Sequence, residues 1–290
     1  MGFLKKKEEK SEKVLEPQYY MSAVNIETLN YNVYYMSKKE KILYFALAFI
    51  VGAFVGYLFY GGIGKDQYGQ RTLLTWILDI TIPVVLGFFA GKFFLPLRTK
   101  SLQLARQKKL KSQFRDMLEA LTTSLNAGKN VMDSFIAVSE DLKVQYEEDA
   151  FILKELEIII KGLENNISLE SMLNDFGKRS GIDDIVSFAN VFEICYRKGG
   201  NIKDTIRNTY EILSDKMNIV EDIETIVTSS KTEQNMMIMM PILIIGLIKT
   251  TSADFAENFV STSGIIATTI AIVLFVVAYI VSKKMLDIKI

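Results

Sequence analysis

The sequence predicts an all-α integral membrane protein, with four transmembrane helices and a cytoplasmic antiparallel helical bundle between spans two and three. Three observations carry this prediction. Of the 290 residues, 49% are hydrophobic, and they gather into four long runs. Lysine and arginine concentrate at the same side of those runs. Between the second and third runs there is no proline, and apolar residues recur every three or four positions, the period of a helix.

The chain divides into a cytoplasmic N-terminal segment at 1–41, two transmembrane helices at 42–97, a helical domain at 98–234, and two further spans with a short tail at 235–290. The opening MGFLKKKEEKSEK carries charges of both signs. No apolar segment follows it before Ile42, so it does not read as a signal peptide. Gly2 suggests myristoylation, but Lys6 stands where that motif needs Ser or Thr. The tyrosine-rich stretch PQYYMSAVNIETLNYNVYYMSKKE shows no clear periodicity. Tyr31, Tyr34 and Tyr35 are expected to anchor at the headgroup level, which amphipathic rings favour.

The apolar runs cover 42–60, 73–97, 236–248 and 264–281. A bilayer core of about 30 Å needs about 20 helical residues. The third run reaches that length only when 233–251 is taken as one helix with polar ends. Lys38, Lys39 and Lys41 precede span one, and Arg98, Lys100, Arg106, Lys108, Lys109 and Lys111 follow span two. Lys283, Lys284 and Lys289 follow span four. The loop at 61–72 holds only Lys65 and Arg71, and the loop at 250–263 holds no cation. This asymmetry predicts an N-in, C-in protein of the cytoplasmic membrane, with its central domain in the cytoplasm. Asp79 is expected near the outer interface, and Lys92 and Lys249 are expected to snorkel from the span ends. Pro83 and Pro241 are expected to kink their helices.

Helices are predicted at 101–126, 131–142, 149–163, 169–179, 182–197 and 202–234. Phe114, Leu118, Leu121 and Leu125 share one face of the first. Ile185, Phe188, Phe192 and Cys195 share one face of the fifth. Ile206, Tyr210, Leu213, Met217, Val220 and Val227 form a seam on the last, which is expected to run unbroken into span three.

Three breaks repeat one pattern. AGKNVMDSF contains Gly128 and Asn130, ENNISLESM contains Asn166, and GGNIKDTI contains Gly199, Gly200 and Asn201. Each sets Asn and a branched apolar residue before a helix with an acid in its first turn, as an N-cap and helix dipole favour. The asparagines stand 36 and 35 residues apart, as recurring helix pairs would place them. Gly200 is expected to end the preceding helix with positive φ.

Glycines at a helix start also suit phosphate. None of these turns follows a buried strand, however, and none matches a Walker or Rossmann spacing. The loop GGIGKD lacks that spacing as well. There is no histidine, which excludes His-based acid–base, nucleophilic and metal chemistry. Cys195 is the single cysteine and reads as core filler rather than nucleophile. No catalytic, cofactor or metal residue is therefore assigned. The net charge of zero gives no pull towards nucleic acid.

The stretch FRDMLEALTTSLNAGKNVMDSFIAVSEDL resembles the opening of the type II secretion F domain. KGLENNISLESMLNDFGKRSG resembles that family's second hairpin, and YRKGGNIKDTIRNTYEIL resembles its Gly-Gly-Asn-Leu turn, with Ile202 for leucine. A single such domain flanked by two spans on each side is similar to the TadB-like platform proteins of tight-adherence (Flp) pili. The two-domain, three-span secretion proteins differ. The resemblance implies a non-enzymatic membrane platform that couples a hexameric secretion ATPase to pilin subunits drawn from the bilayer. It also implies a second F-domain platform protein as partner, and homo- or hetero-oligomers.

Residues 98–234 hold 19 basic and 23 acidic residues, so a protein partner fits better than nucleic acid. Among the acidic clusters, Glu147, Glu148 and Asp149 are the candidate docking residues. Two rival readings weigh less. An intramembrane aspartyl peptidase needs paired carboxylates, and Asp79 and Asp254 lack a flanking motif. A small transporter needs paired broken helices or several buried charges.

Overall fold

The computed structural model describes residues 16–22, 24–64 and 70–286. Gly2, Lys6, Lys65 and Lys289 lie outside the described residues, as do the side chains of Asp254 and Lys283. Two short strands, β1 (Tyr19–Met21) and β2 (Glu27–Leu29), pair antiparallel with Tyr19 opposite Leu29. The remaining elements are helices: α1 (Lys38–Tyr60), α2 (Leu73–Asn126), α3 (Val131–Gln145), α4 (Phe151–Glu164), α5 (Leu169–Ser180), α6 (Asp183–Lys198), α7 (Ile202–Thr251), α8 (Ala253–Val260) and α9 (Thr262–Leu286).

The expected breaks between 126 and 202 all occur, within about three residues of their predicted places. Two differences stand out. Span two and the helix expected at 101–126 are one element, α2, which continues through Pro83 and Pro96. A proline removes one donor but leaves the rest of the ladder intact. The loop expected at 250–263 contains α8. The helix entering span three is continuous, as the seam on 202–234 implied, and contains Pro241.

The described residues form two compact units. One joins the chain up to Tyr35 to Leu102–Tyr210, and the other joins Met36–Ser101 to the chain from Glu211 onward. In the second unit, α1, α2, α7 and α9 are each long and apolar enough to cross a membrane. Helix α1 starts in a capping box in which Ser37 and Glu40 satisfy each other's backbone N–H. Helices α1 and α2 meet through small residues. A Cβ on Gly52 would lie 2.6 Å from that of Ala90, and one on Gly87 would lie 2.7 Å from the Phe49 carbonyl oxygen. Such spacing lets apolar helices pack backbone to backbone in lipid. Lys249 donates to the Phe59 carbonyl at 3.1 Å, and Asp79 accepts from the Gly62 N–H at 2.6 Å. Both contacts satisfy backbone groups at the end of α1.

In the first unit, the buried apolar residues of α2 are Leu110, Phe114, Met117, Leu118, Leu121 and Leu125, a single stripe. Phe114 meets Phe176 of α5 and Phe188 of α6 edge-on, with ring centroids 6.0 and 5.4 Å away. This aromatic cluster anchors the core on which the surface features of the unit are mounted.

Candidate functional site

Two of the three predicted caps are where the sequence placed them. The Asn130 side chain accepts from the Asp133 N–H at 2.8 Å at the start of α3. That of Asn201 accepts from the Asp204 N–H at 3.4 Å at the start of α7. Gly128, at φ +89, makes the turn before Asn130.

Asn166 has a different role. Its φ of 60 is left-handed, and the next residue, Ile167, donates back to Gly162 at 2.9 Å. Asn166 thus closes α4, and Ser168 caps α5. Asn is the residue after Gly that best tolerates this conformation, which explains the exchange of one role for the other.

The glycine pair also divides its work differently from expectation. Gly199 carries the positive φ, at +70, and caps α6. Gly200 is needed for space, because a Cβ there would lie 3.3 Å from both Cα and Cβ of Cys195. Cys195 itself is half-buried, with its Sγ 3.2 Å from the Thr205 hydroxyl.

The acidic residues Glu147, Glu148 and Asp149 are all exposed in the turn between α3 and α4. Helix α4 begins at Phe151, so none of the three lies inside a helix. Tyr146 pins the turn from one side by donating its hydroxyl to Asp116 of α2. Loss of hydration and that hydrogen bond push the Tyr146 phenol up to about 12. The cluster is therefore an exposed anionic tip on a fixed turn.

A more elaborate constellation lies elsewhere, at residues that the sequence analysis does not single out as a group. Arg179 of α5 donates from both terminal nitrogens to Glu155 of α4, each at 2.6 Å, and from Nε to Asp175 at 2.6 Å. Tyr31 completes the group by donating to Glu155 at 2.9 Å. Glu155 and Tyr31 are each 1% exposed and Arg179 is 2% exposed. Burial pushes the Glu155 carboxyl up, against the opposing pull of Arg179 and the Tyr31 hydroxyl. Arginine stays charged, so neutralising Glu155 would leave a buried cation with Asp175 as its one remaining counter-charge in this group, and the pair holds as an ion pair. Burial also acts to lower the Arg179 pKa, but its bonds to Glu155 and its charge neighbours prevail and raise it.

Tyr31 is thus no membrane anchor. It lies in the helical unit, edge-on to Phe151 at 5.6 Å. Tyr34 lies beneath the Arg106 guanidinium at 4.5 Å, and the Tyr35 hydroxyl donates to the Glu16 carbonyl. The segment of 16–35 ahead of α1 thus forms a strap on the helical unit, and the reason it docks here is the end of α5. A helix leaves its last four carbonyls without internal donors. Here Gly177 accepts from the Ser180 hydroxyl, Lys178 from the Asn32 amide, Arg179 from the Tyr31 N–H and Ser180 from the Gln107 amide. All four are satisfied, two of them by the strap. Gly181 then turns the chain at φ +61, and a side chain there would overlap Asn32.

Of the charged residues that the sequence places in the spans, Asp79 and Lys249 serve backbone groups at the end of α1. No family model matches the chain, and no curated protein or solved structure matches it.

Proposed function

We propose that the chain is a non-enzymatic platform of a type IV-like or Flp pilus assembly, or type II secretion, machine. It sits in the cytoplasmic membrane with both termini and the helical unit in the cytoplasm. It couples a hexameric secretion ATPase to the extraction and assembly of pilin subunits, alongside a second F-domain protein. The observation that carries this reading is the order of elements. Two apolar helices, a helical unit broken near Gly128, Asn166 and Gly199, and two further apolar helices follow one another as in the family the sequence resembles. The exposed tip at Glu147, Glu148 and Asp149 supplies a surface suited to docking a basic partner.

Capture of the ATPase by the full chain in lipid nanodiscs tests the proposal. The wild type is expected to retain it, and reversing all three charges is expected to weaken capture more at low salt than at high salt. Absence of capture at either salt removes the ATPase-coupling role. Equal capture by wild type and triple reversal removes only these three residues from the interface. Threading is tested separately by cysteine labelling in a Cys195→Ser background. Label at position 111 is expected only from inside and at position 258 only from outside.

A further inference from the structure

In the unit that carries the apolar spans, α1 and α2 line a groove of about 630 Å³, with Ile272 of α9 beside them. Its walls repeat every four residues: Leu47, Val51 and Val55 on α1, and Leu86, Ala90 and Phe94 on α2. Leu47, Val51 and Phe94 are exposed, so the groove is open to what surrounds the spans. From Leu86 to Arg98 it runs about 18 Å along α2, at 1.5 Å per residue. Arg98 is the one charged residue among the described residues that line it.

That charge stands at one end, just past the apolar run at 73–97. The Arg98 guanidinium lies over the Tyr44 ring at 5.1 Å and donates to its hydroxyl across a long 3.4 Å. Among the described residues, no carboxylate pairs with it. Its Nε is enclosed, which leaves the terminal nitrogens to meet a ligand. Exposed lysines surround this end. Lys38, Lys39 and Lys41 stand in the first turn of α1 and Lys100 on α2, and a contact of 3.4 Å from the Thr99 hydroxyl to the Met36 sulfur joins the two segments. The one carboxylate within 36–44 and 98–101 is Glu40, which accepts from the Ser37 N–H at 2.8 Å.

A ligand that matches this groove is apolar along its length and anionic at one end. We propose that it seats an acyl chain of an anionic phospholipid, with the phosphate on Arg98 among the lysines. The guanidinium suits a phosphate through parallel N–H donors. Basic sites where membrane helices reach the headgroup level attract anionic lipids, and the same lysines disfavour the cationic choline of a zwitterionic one. The inference rests on α1 and α2 crossing a bilayer and is independent of the pilus reading.

Brominated lipids test it, because bromine on an acyl chain quenches a nearby tryptophan. The reporter is the full chain with Phe94→Trp in a Trp76→Phe background, since Trp76 is the single native tryptophan. It is reconstituted in phosphatidylcholine vesicles in which part of the lipid is dibrominated phosphatidylglycerol or dibrominated phosphatidylcholine. The phosphatidylglycerol is expected to associate about fivefold more tightly or better, the size of one interfacial cation contact. Arg98→Gln is expected to abolish this preference with unchanged helical circular dichroism, and Arg98→Lys to keep most of it. Ala48→Phe, which fills the groove, is expected to cut quenching by both lipids. Equal association of the two lipids with the reporter would reduce the site to ordinary boundary lipid, and absence of quenching by either would mean that protein covers the groove. Either result, or a folded Arg98→Gln that keeps the preference, overturns the proposal.

Discussion

Arg179 grips Glu155 with two parallel hydrogen bonds of 2.6 Å, and both side chains are almost wholly withdrawn from solvent. The pair ties the end of α5 to the middle of α4, and through Tyr31 it ties both to the N-terminal strap. Removing Arg179 leaves Glu155 buried without its counter-charge, and removing Glu155 leaves the buried Arg179 with only the partly exposed Asp175. Glu155→Gln or Arg179→Met is therefore expected to destabilise the helical unit by about 3–5 kcal/mol. Replacing both, as Glu155→Leu with Arg179→Met, is expected to cost much less than either alone. Denaturant unfolding of the full chain in detergent, followed by helical circular dichroism, checks this. A double variant as unstable as the sum of the singles would refute the pairing argument.

Tyr31 separates two roles, ring packing and hydrogen bonding. Tyr31→Phe keeps the edge contact with Phe151 and loses only the bond to Glu155, an expected loss of about 1.5–3 kcal/mol for a bond to a charged group. Tyr31→Ala also loses the ring and is expected to release the strap. Limited proteolysis reads the difference: cleavage within 16–35 should rise strongly in Tyr31→Ala and modestly in Tyr31→Phe. Similar cleavage in both variants and wild type would mean that Tyr31 does not hold the strap.

The two adjacent glycines are expected to answer differently to substitution. At Gly199 the constraint is a left-handed backbone, so Gly199→Val should cost about 1–3 kcal/mol. Gly199→Asn should be far milder, since Asn tolerates that conformation. At Gly200 the constraint is proximity to Cys195, so Gly200→Ala and Gly200→Val should both be felt, the larger one more. Thermal unfolding of the four variants decides the matter. Equal tolerance of Asn and Val at position 199 would contradict the assigned backbone.

Tyr146 gives an alkaline signature. Its phenol is raised from 10.0 to about 12 in the folded chain. A group whose folded pKa is raised contributes stability that is complete below its unfolded value and is lost as pH rises through its folded value. The Tyr146 contribution should therefore persist up to about pH 10 and disappear by about pH 12. Stability measured from pH 9 to 12 should fall less steeply in Tyr146→Phe than in wild type. Parallel profiles would show that the phenol does not titrate with folding.

Part of the buried ion pair is legible in the residue pattern alone. Glu155 falls on the same helical stripe as Ile152 and Ile159, and Arg179 on the same stripe as Met172 and Phe176. A charge on an otherwise apolar face needs a partner, and each of these two has one available in the other. What the pattern cannot supply is which charges meet, because the two lie 24 residues apart on different helices. Tyr31 gives no signal at all. It stands in a short aperiodic strap, and tyrosines just ahead of a span invite the interfacial reading that the structure replaces.

Four apolar helices, the helical unit between the second and third, and the places where its helices break are all readable from the residues alone. Those features rest on local physics: run length against bilayer thickness, the 3.6-residue period, and the preference of Gly and Asn for chain turns. Tertiary structure decided that Asn166 ends a helix instead of starting one, and that Gly199 rather than Gly200 turns left-handed. It also decided that the strap at 16–35 belongs to the helical unit. The four terminal carbonyls of α5 drew donors from wherever the fold could bring them, and two came from residues nearly 150 positions earlier in the chain. Hydrogen-bond satisfaction across that separation depends on the packed geometry, which no local pattern encodes.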